Sequence, residues 1–181
     1  MIKVIIITDG CLTCGEYAST YTFLGVEEYR KIKYKEIIMS KVAVVYWSGT
    51  GNTETMADEI VSKLSESGVE VSKIFAGDFS EADIANYDGF AFGCPAMGSE
   101  ELEEDVFEPM FESVEDKLGN KPVVLFGSYS WAEGEWMQTW TERCKDKGIN
   151  LVADGLIAYD QPQDDDLEAC RNLAGSLASS L

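Results

Sequence analysis

From Lys41 onward, short and almost wholly apolar runs alternate with longer segments whose apolar residues recur at helical spacing. No other feature constrains the fold as tightly. The runs Val42–Tyr46 and Gly89–Gly93 lack the polar alternation of a half-exposed strand, so both of their faces are buried. Strands buried on both faces and separated by helices pair in parallel, because each connection crosses over the sheet and covers it. The expected class is therefore α/β, a doubly wound five-stranded parallel sheet with helices on both faces.

The predicted elements follow in order. Val42–Tyr46 is the first strand, and Glu54–Ser65 is a helix with Met56, Ile60, Val61 and Leu64 on one stripe. Val69–Ile74 is a second strand, Ala76–Tyr87 a polar connection with a short helical turn near Asp83, and Gly89–Gly93 the third strand. Leu102–Phe111 is a helix preceded by Glu100, Glu101, Glu103 and Glu104, acids that suit a helix N-terminus. Lys121–Phe126 is the fourth strand, and Trp136–Lys147 a helix closed by Gly148. The fifth strand is split into Ile149–Val152 and Leu156–Ile157 by Ala153-Asp154-Gly155. Asp164–Asp166 cap a last helix, Leu167–Leu181.

Charge divides the chain. The net charge is −19 over 181 residues. Residues 1–39 hold five basic and five acidic side chains, so the remaining nine basic and twenty-eight acidic ones carry all of it. Domain boundaries follow: residues 1–38 as an extension, with Met39 a candidate natural start, and residues 39–181 as the folded domain. Such an acidic domain repels nucleic acid and anionic membranes. It suits docking to proteins with basic patches, where the field speeds encounter and orients the partner. Plain solubility is the alternative use of that charge. No stretch is apolar enough to span a bilayer, and the opening Met1–Thr8 lacks a signal-peptide cleavage site, so the expected location is the cytoplasm. The chain has no His, which removes imidazole metal ligands and His-based acid–base or nucleophilic catalysis. Cys11 and Cys14 form a C-x-x-C, a redox pair or half a metal site, without a second pair nearby.

In a doubly wound sheet a ligand lies beyond the carboxyl ends of the strands, where strand order reverses. The loop after the first strand is Ser48-Gly49-Thr50-Gly51-Asn52-Thr53. Small residues let the backbone approach an anion, and the following helix start offers unpaired amides and the positive end of a dipole. It reads as a phosphate cradle, or else as an ordinary strand-to-helix turn with Thr53 as N-cap. The absence of a Gly-Lys-Ser/Thr sequence excludes a nucleotide-hydrolysing P-loop. Two further loops, Gly93–Glu100 and Gly127–Trp136, each carry one large polarizable side chain, Met97 and Trp131, able to enclose a flat ring between them or to pack as lids.

These three loops resemble those of the flavodoxins, in particular the short-chain type of anaerobic bacteria. S-G-T-G-N-T at 48–53 resembles the FMN phosphate loop, A-M-G-S-E at 96–100 the inner flavin loop, and S-Y-S-W-A at 128–132 the outer aromatic loop. The resemblance covers Met39–Leu181 and implies strand order 2-1-3-4-5. It implies that Ser48, Gly49, Thr50, Gly51, Asn52 and Thr53 hold the FMN phosphate without any cation. Ala96, Met97, Gly98, Ser99 and Glu100 would line one side of the ring, with the Gly98 carbonyl turning to flavin N5–H on one-electron reduction and Glu100 accepting from N3–H. Trp131 would lie against the other face, and the loop of Ser128, Tyr129, Ser130, Trp131 and Ala132 would bind the cofactor, with backbone groups of Ser128 to Trp131 on the ribityl and pyrimidine edges. Ser99, Ser130 and Ala132 depart from the Asp and Gly residues common in close relatives, which bears on potentials rather than on the cofactor. The implied function is a low-potential one-electron carrier, not an enzyme, working as a monomer between reductases or oxidoreductases. An FMN-dependent NAD(P)H:quinone or nitro reductase of the same fold is the alternative.

Overall fold

Residues 39–181 are described by a computed structural model. Cys11, Cys14 and the other expectations for residues 1–38 lie outside them. Five strands, β1 (Lys41–Tyr46), β2 (Glu70–Phe75), β3 (Gly89–Gly93), β4 (Val123–Tyr129) and β5 (Leu156–Tyr159), form one parallel sheet in the order β2-β1-β3-β4-β5. Three helices connect strands, α1 (Asn52–Glu66), α2 (Phe107–Val114) and α3 (Glu135–Asp146); α4 (Asp164–Ala178) follows β5, and two short 3-10 turns link β2 to β3.

Successive strand residues point to opposite faces, and each face has its own core. Val42, Val44, Ala91, Val124 and Phe126 pack under α1 and α4, against Met56, Ile60, Leu64, Leu173 and Leu177. Ala43, Val45, Phe90, Phe92 and Leu125 face α2 and α3, against Phe107, Phe111, Trp136 and Trp140. Phe92, Phe107, Phe111 and Trp140 meet edge to face at 5.3 to 5.4 Å between centroids wherever their planes cross. No helix among the described residues is long and apolar enough to cross a membrane.

Several boundaries differ from expectation, and three of them outside the first loop have identifiable reasons. The helix expected over Leu102–Phe111 begins at Phe107. The acidic run before it is no helical turn, because Met97 and Glu101 exchange two backbone hydrogen bonds of 2.9 and 3.0 Å and close a hairpin. The buried Glu103 carboxylate then accepts from the amides of Asp105, Val106 and Phe107 at 3.1, 2.9 and 2.8 Å. It caps α2 from outside the helix, a task Val106 at the N-cap position cannot perform. β4 continues past Phe126 to Tyr129, since Gly127, Ser128 and Tyr129 pair with Ile157, Ala158 and Tyr159 of β5. The split of the last strand is real, but only its second half is a full strand. Leu151 forms an isolated bridge with Val123, and Leu156–Tyr159 resumes the ladder.

Candidate functional site

Strand order reverses at β1: the chain leaves it through α1 to β2 on one side and returns to β3 on the other. A cleft of about 340 Å³ opens there, at the carboxyl ends of β1, β3, β4 and β5. Its walls come from Trp47, Gly49, Thr50 and Asn52 after β1, Pro95, Ala96 and Met97 after β3, Ser128–Trp131 at the end of β4, and Asp160 after β5.

The first loop is built for backbone approach. Gly51 sits at φ 93, a conformation that only glycine adopts cheaply, and is the N-cap of α1. Its carbonyl accepts from both the amide and the hydroxyl of Thr55 at 2.9 Å. Thr53 is therefore not the cap: α1 starts two residues earlier than the expected Glu54, and Thr53 is fully buried within its first turn. There its hydroxyl meets the buried Ser128 hydroxyl at 3.1 Å, tying the phosphate-like loop to β4. The Ser48 hydroxyl accepts from the Gly51 amide at 3.0 Å and keeps the loop tight. At Gly49 the need is space, since a Cβ would stand 2.9 Å from the Trp47 ring. The amides of Asn52, Thr53 and Glu54 have no carbonyl four residues back within the helix, so this end of α1 is a place for an anion.

The second loop continues the sheet before it turns. Cys94 and Ala96 donate to the Phe126 and Ser128 carbonyls at 3.1 and 2.9 Å, which lays the segment along β4. The hairpin Met97–Glu101 then carries Gly98 at φ 47 and Glu100 at φ 63. A Cβ at Gly98 would meet nothing within 4 Å, so glycine is there for its backbone freedom. Glu100 reaches over to α3, where one carboxylate oxygen accepts from the Trp136 amide at 3.2 Å. That amide needs an outside partner because the α3 N-cap is Gly134, which has no side chain. The other oxygen, Oε1, is buried and has no partner. The Trp136 indole donates to the Cys94 carbonyl at 3.3 Å, so α3 holds the second loop at both ends.

In the third loop Trp131 is half exposed at the rim, while Ser128 and Tyr129 belong to β4. Ala132 takes φ 59 and Asp160 φ 53. With Glu100, they are the non-glycine residues in the left-handed region among those described, and all three lie in loops beside this cleft. Backbone strain gathered at one edge of a sheet is a mark of a working site.

Of the residues expected from sequence, Gly49, Thr50, Asn52, Ala96, Met97, Ser128, Tyr129, Ser130 and Trp131 come together in the cleft wall. Ser48, Gly51 and Thr53 stand behind it as supports. Gly98, Ser99 and Glu100 shape the hairpin after β3, and Ala132 the loop after β4, without lining it. Sequence reasoning did not place Trp47, Pro95 or Asp160 in the wall. Asp160 is placed by its amide, which donates to the Tyr129 carbonyl at 2.6 Å, and its carboxylate accepts from Asn52 at 3.4 Å. Asp160 is the one ionisable acid or base in the wall apart from the Tyr129 phenol, and no Lys or Arg is present there.

The fold and cleft define a doubly wound α/β protein with an open cleft at the strand switch point. The sequence profile of the flavodoxins matches residues 44–173. A flavodoxin of Megasphaera elsdenii is 42% identical over 139 residues, covering 77% of this chain and 99% of its own. One of Clostridium beijerinckii is 44% identical over 121 residues, covering 67% and 88%. The solution structure of two-electron reduced Megasphaera elsdenii flavodoxin has a TM-score of 0.68 to this fold at 43% identity, covering 76% of this chain and 98% of that one. The chain belongs to the flavodoxin family.

Proposed function

We propose that this protein is a low-potential carrier of single electrons that holds FMN non-covalently and works as a monomer between redox proteins bearing basic docking patches. The observation that carries this is the cleft itself. A helix end with free amides, two apolar walls at Met97 and Trp131, and an acid in place of any cation meet in one place.

The residues present fit FMN. Ser48–Thr53 offers hydroxyls and amides suited to a phosphate, and an added Cβ at Gly49 would strike Trp47 and close the approach. The buried Glu100 Oε1, in the second loop beside the cleft but outside its wall, is an acceptor left without a donor. Bound FMN supplies the one-electron chemistry, and the protein supplies binding, orientation and electrostatics.

Each element of the chain then has a task. Thr50 and Asn52, with the α1 amides, hold the phosphate by dipoles rather than by a fixed cation. Met97 and Trp131 cover apolar ring surface and keep water from it. Gly98, free to rotate its peptide, can present either its carbonyl or the following amide to the ring edge. Asp160 and the net charge of −19 raise the energy of added negative charge in the cleft, which lowers the potential of the last electron. The same field attracts a basic partner.

The test is reconstitution. Purified protein stripped of ligand and mixed with FMN should emerge from gel filtration yellow, as a monomer with one FMN per chain. Colourless protein refutes the reading, and substrate-dependent consumption of NAD(P)H supports the reductase alternative instead.

A further inference from the structure

The phosphate loop carries an acid where an anion is to bind. Glu54 lies in the first turn of α1, the turn whose free amides face the loop. One turn rises only about 5.4 Å, and charges act over a Debye length of about 8 Å at physiological salt. A bare carboxylate there opposes a phosphate dianion.

The structure shows where that charge goes. Lys73 of β2 pairs with Val44 of β1, so its side chain rises on the face covered by α1. Its Nζ lies 2.9 Å from Glu54 Oε1 and 2.5 Å from Asp58 Oδ1. It also sits 4.9 Å from the centre of the Tyr46 ring. The Tyr46 hydroxyl donates to the same Glu54 oxygen at 2.9 Å, and Tyr46 is itself braced edge to face by Phe75. Hydrogen bonds from Lys73 and then Tyr46 hold the Glu54 carboxyl below its ordinary range. Burial lowers the Lys73 pKa, but its bonds to Asp58 and Glu54 outweigh that and push it up to about 12. Both partners are therefore charged at neutral pH. An ordinary exposed ion pair contributes little to stability. This one joins a cation three-quarters covered to two acids on the phosphate-facing helix, in a site with no cation of its own.

We propose that Lys73 is a positioning residue for the phosphate site: by pinning Glu54 and Asp58 and cancelling one of their two negative charges, it allows a cation-free loop to accept the phosphate of FMN. The inference rests on the FMN reading and adds to it a source for the missing positive charge, outside the loop and one strand away.

The test is the affinity of the ligand-free protein for FMN, measured by flavin fluorescence at low salt and at about 1 M NaCl, where the Debye length falls to about 3 Å. Lys73→Gln should weaken binding on the order of tenfold at low salt, as expected for one uncancelled charge near a dianion. High salt should remove the difference. Lys73→Arg should bind as the parent does, and Glu54→Gln/Asp58→Asn/Lys73→Gln should recover the affinity. Thermal unfolding of each ligand-free variant reports its folding separately. Unchanged affinity in Lys73→Gln overturns the inference, and so does a loss that persists at high salt or in the triple variant, since either points to a purely structural role. Failure of the parent protein to bind FMN overturns the functional reading itself and is read before any variant.

Discussion

Gly127→Ala tests how the cleft is held together. Gly127 lies in β4, and the segment leaving β3 runs close beside it. A Cβ there would stand 2.0 Å from the Cys94 carbonyl oxygen, 2.9 Å from its carbon and 3.2 Å from the Trp136 indole. Atoms in contact prefer about 3.5 Å or more, so the Cys94 peptide must retreat by over about 1 Å. It cannot do so alone: the Cys94 amide is bound to Phe126, and its carbonyl accepts from the Trp136 indole. Overpacking costs about 1–3 kcal/mol, and a buried hydrogen bond broken on one side about 1–3 kcal/mol more. The expected loss is about 3–5 kcal/mol, or roughly 10–15 °C in Tm for a domain of this size. Because the displaced segment carries Met97 into the cleft wall, FMN affinity should fall along with stability. Urea unfolding of ligand-free protein and fluorescence titration with FMN measure the two effects. Gly175→Ala in α4, where a Cβ meets nothing within 4 Å, is the contrast and should stabilise by about 0.5–1 kcal/mol. If Gly127→Ala unfolds like the parent and binds FMN equally well, the close approach of Cys94 is not what positions the second loop.

Other outcomes follow from single features of the structure. Ala132→Gly should leave stability unchanged or raise it by up to about 1 kcal/mol, since it relieves a left-handed alanine at φ 59; a clear loss in urea unfolding contradicts that strain. Glu103→Ala should cost about 2–3 kcal/mol, because three amides at the start of α2 lose their acceptor, and a near-neutral result removes Glu103 as the cap. In a Cys11→Ser/Cys14→Ser background the native protein should resist a thiol reagent at pH 8. Cys94, Cys144 and Cys170 are buried, and burial pushes the last two up to about 12 and Cys94 higher still; rapid labelling without unfolding would show a looser core.

The doubly wound sheet was legible because Val42–Tyr46 and Gly89–Gly93 are apolar on both faces, and only helices on both sides satisfy that. Strand order came from the resemblance of the loops, as periodicity carries no information on which strands are neighbours. The misplaced start of α2 has a specific cause. Four glutamates ahead of an apolar stripe look like a first turn, yet Gly98 and Glu100 at positive φ turn that stretch into a hairpin. The cap is Glu103, which reaches forward from outside the helix, and a pattern of charges cannot distinguish a cap from a first turn. Asp160 was illegible for another reason. Its place in the cleft depends on β5 pairing with β4 beyond Phe126, a register decided by tertiary contacts rather than by the residues around Asp160.

The central claim is that this cleft turns FMN into a carrier of single electrons. A spectroelectrochemical titration of the FMN-loaded protein tests it most directly. Two resolved one-electron steps are predicted, the second well below the potential of free FMN, as the acidic and cation-free wall requires. One unresolved two-electron step at the potential of free FMN would contradict the account.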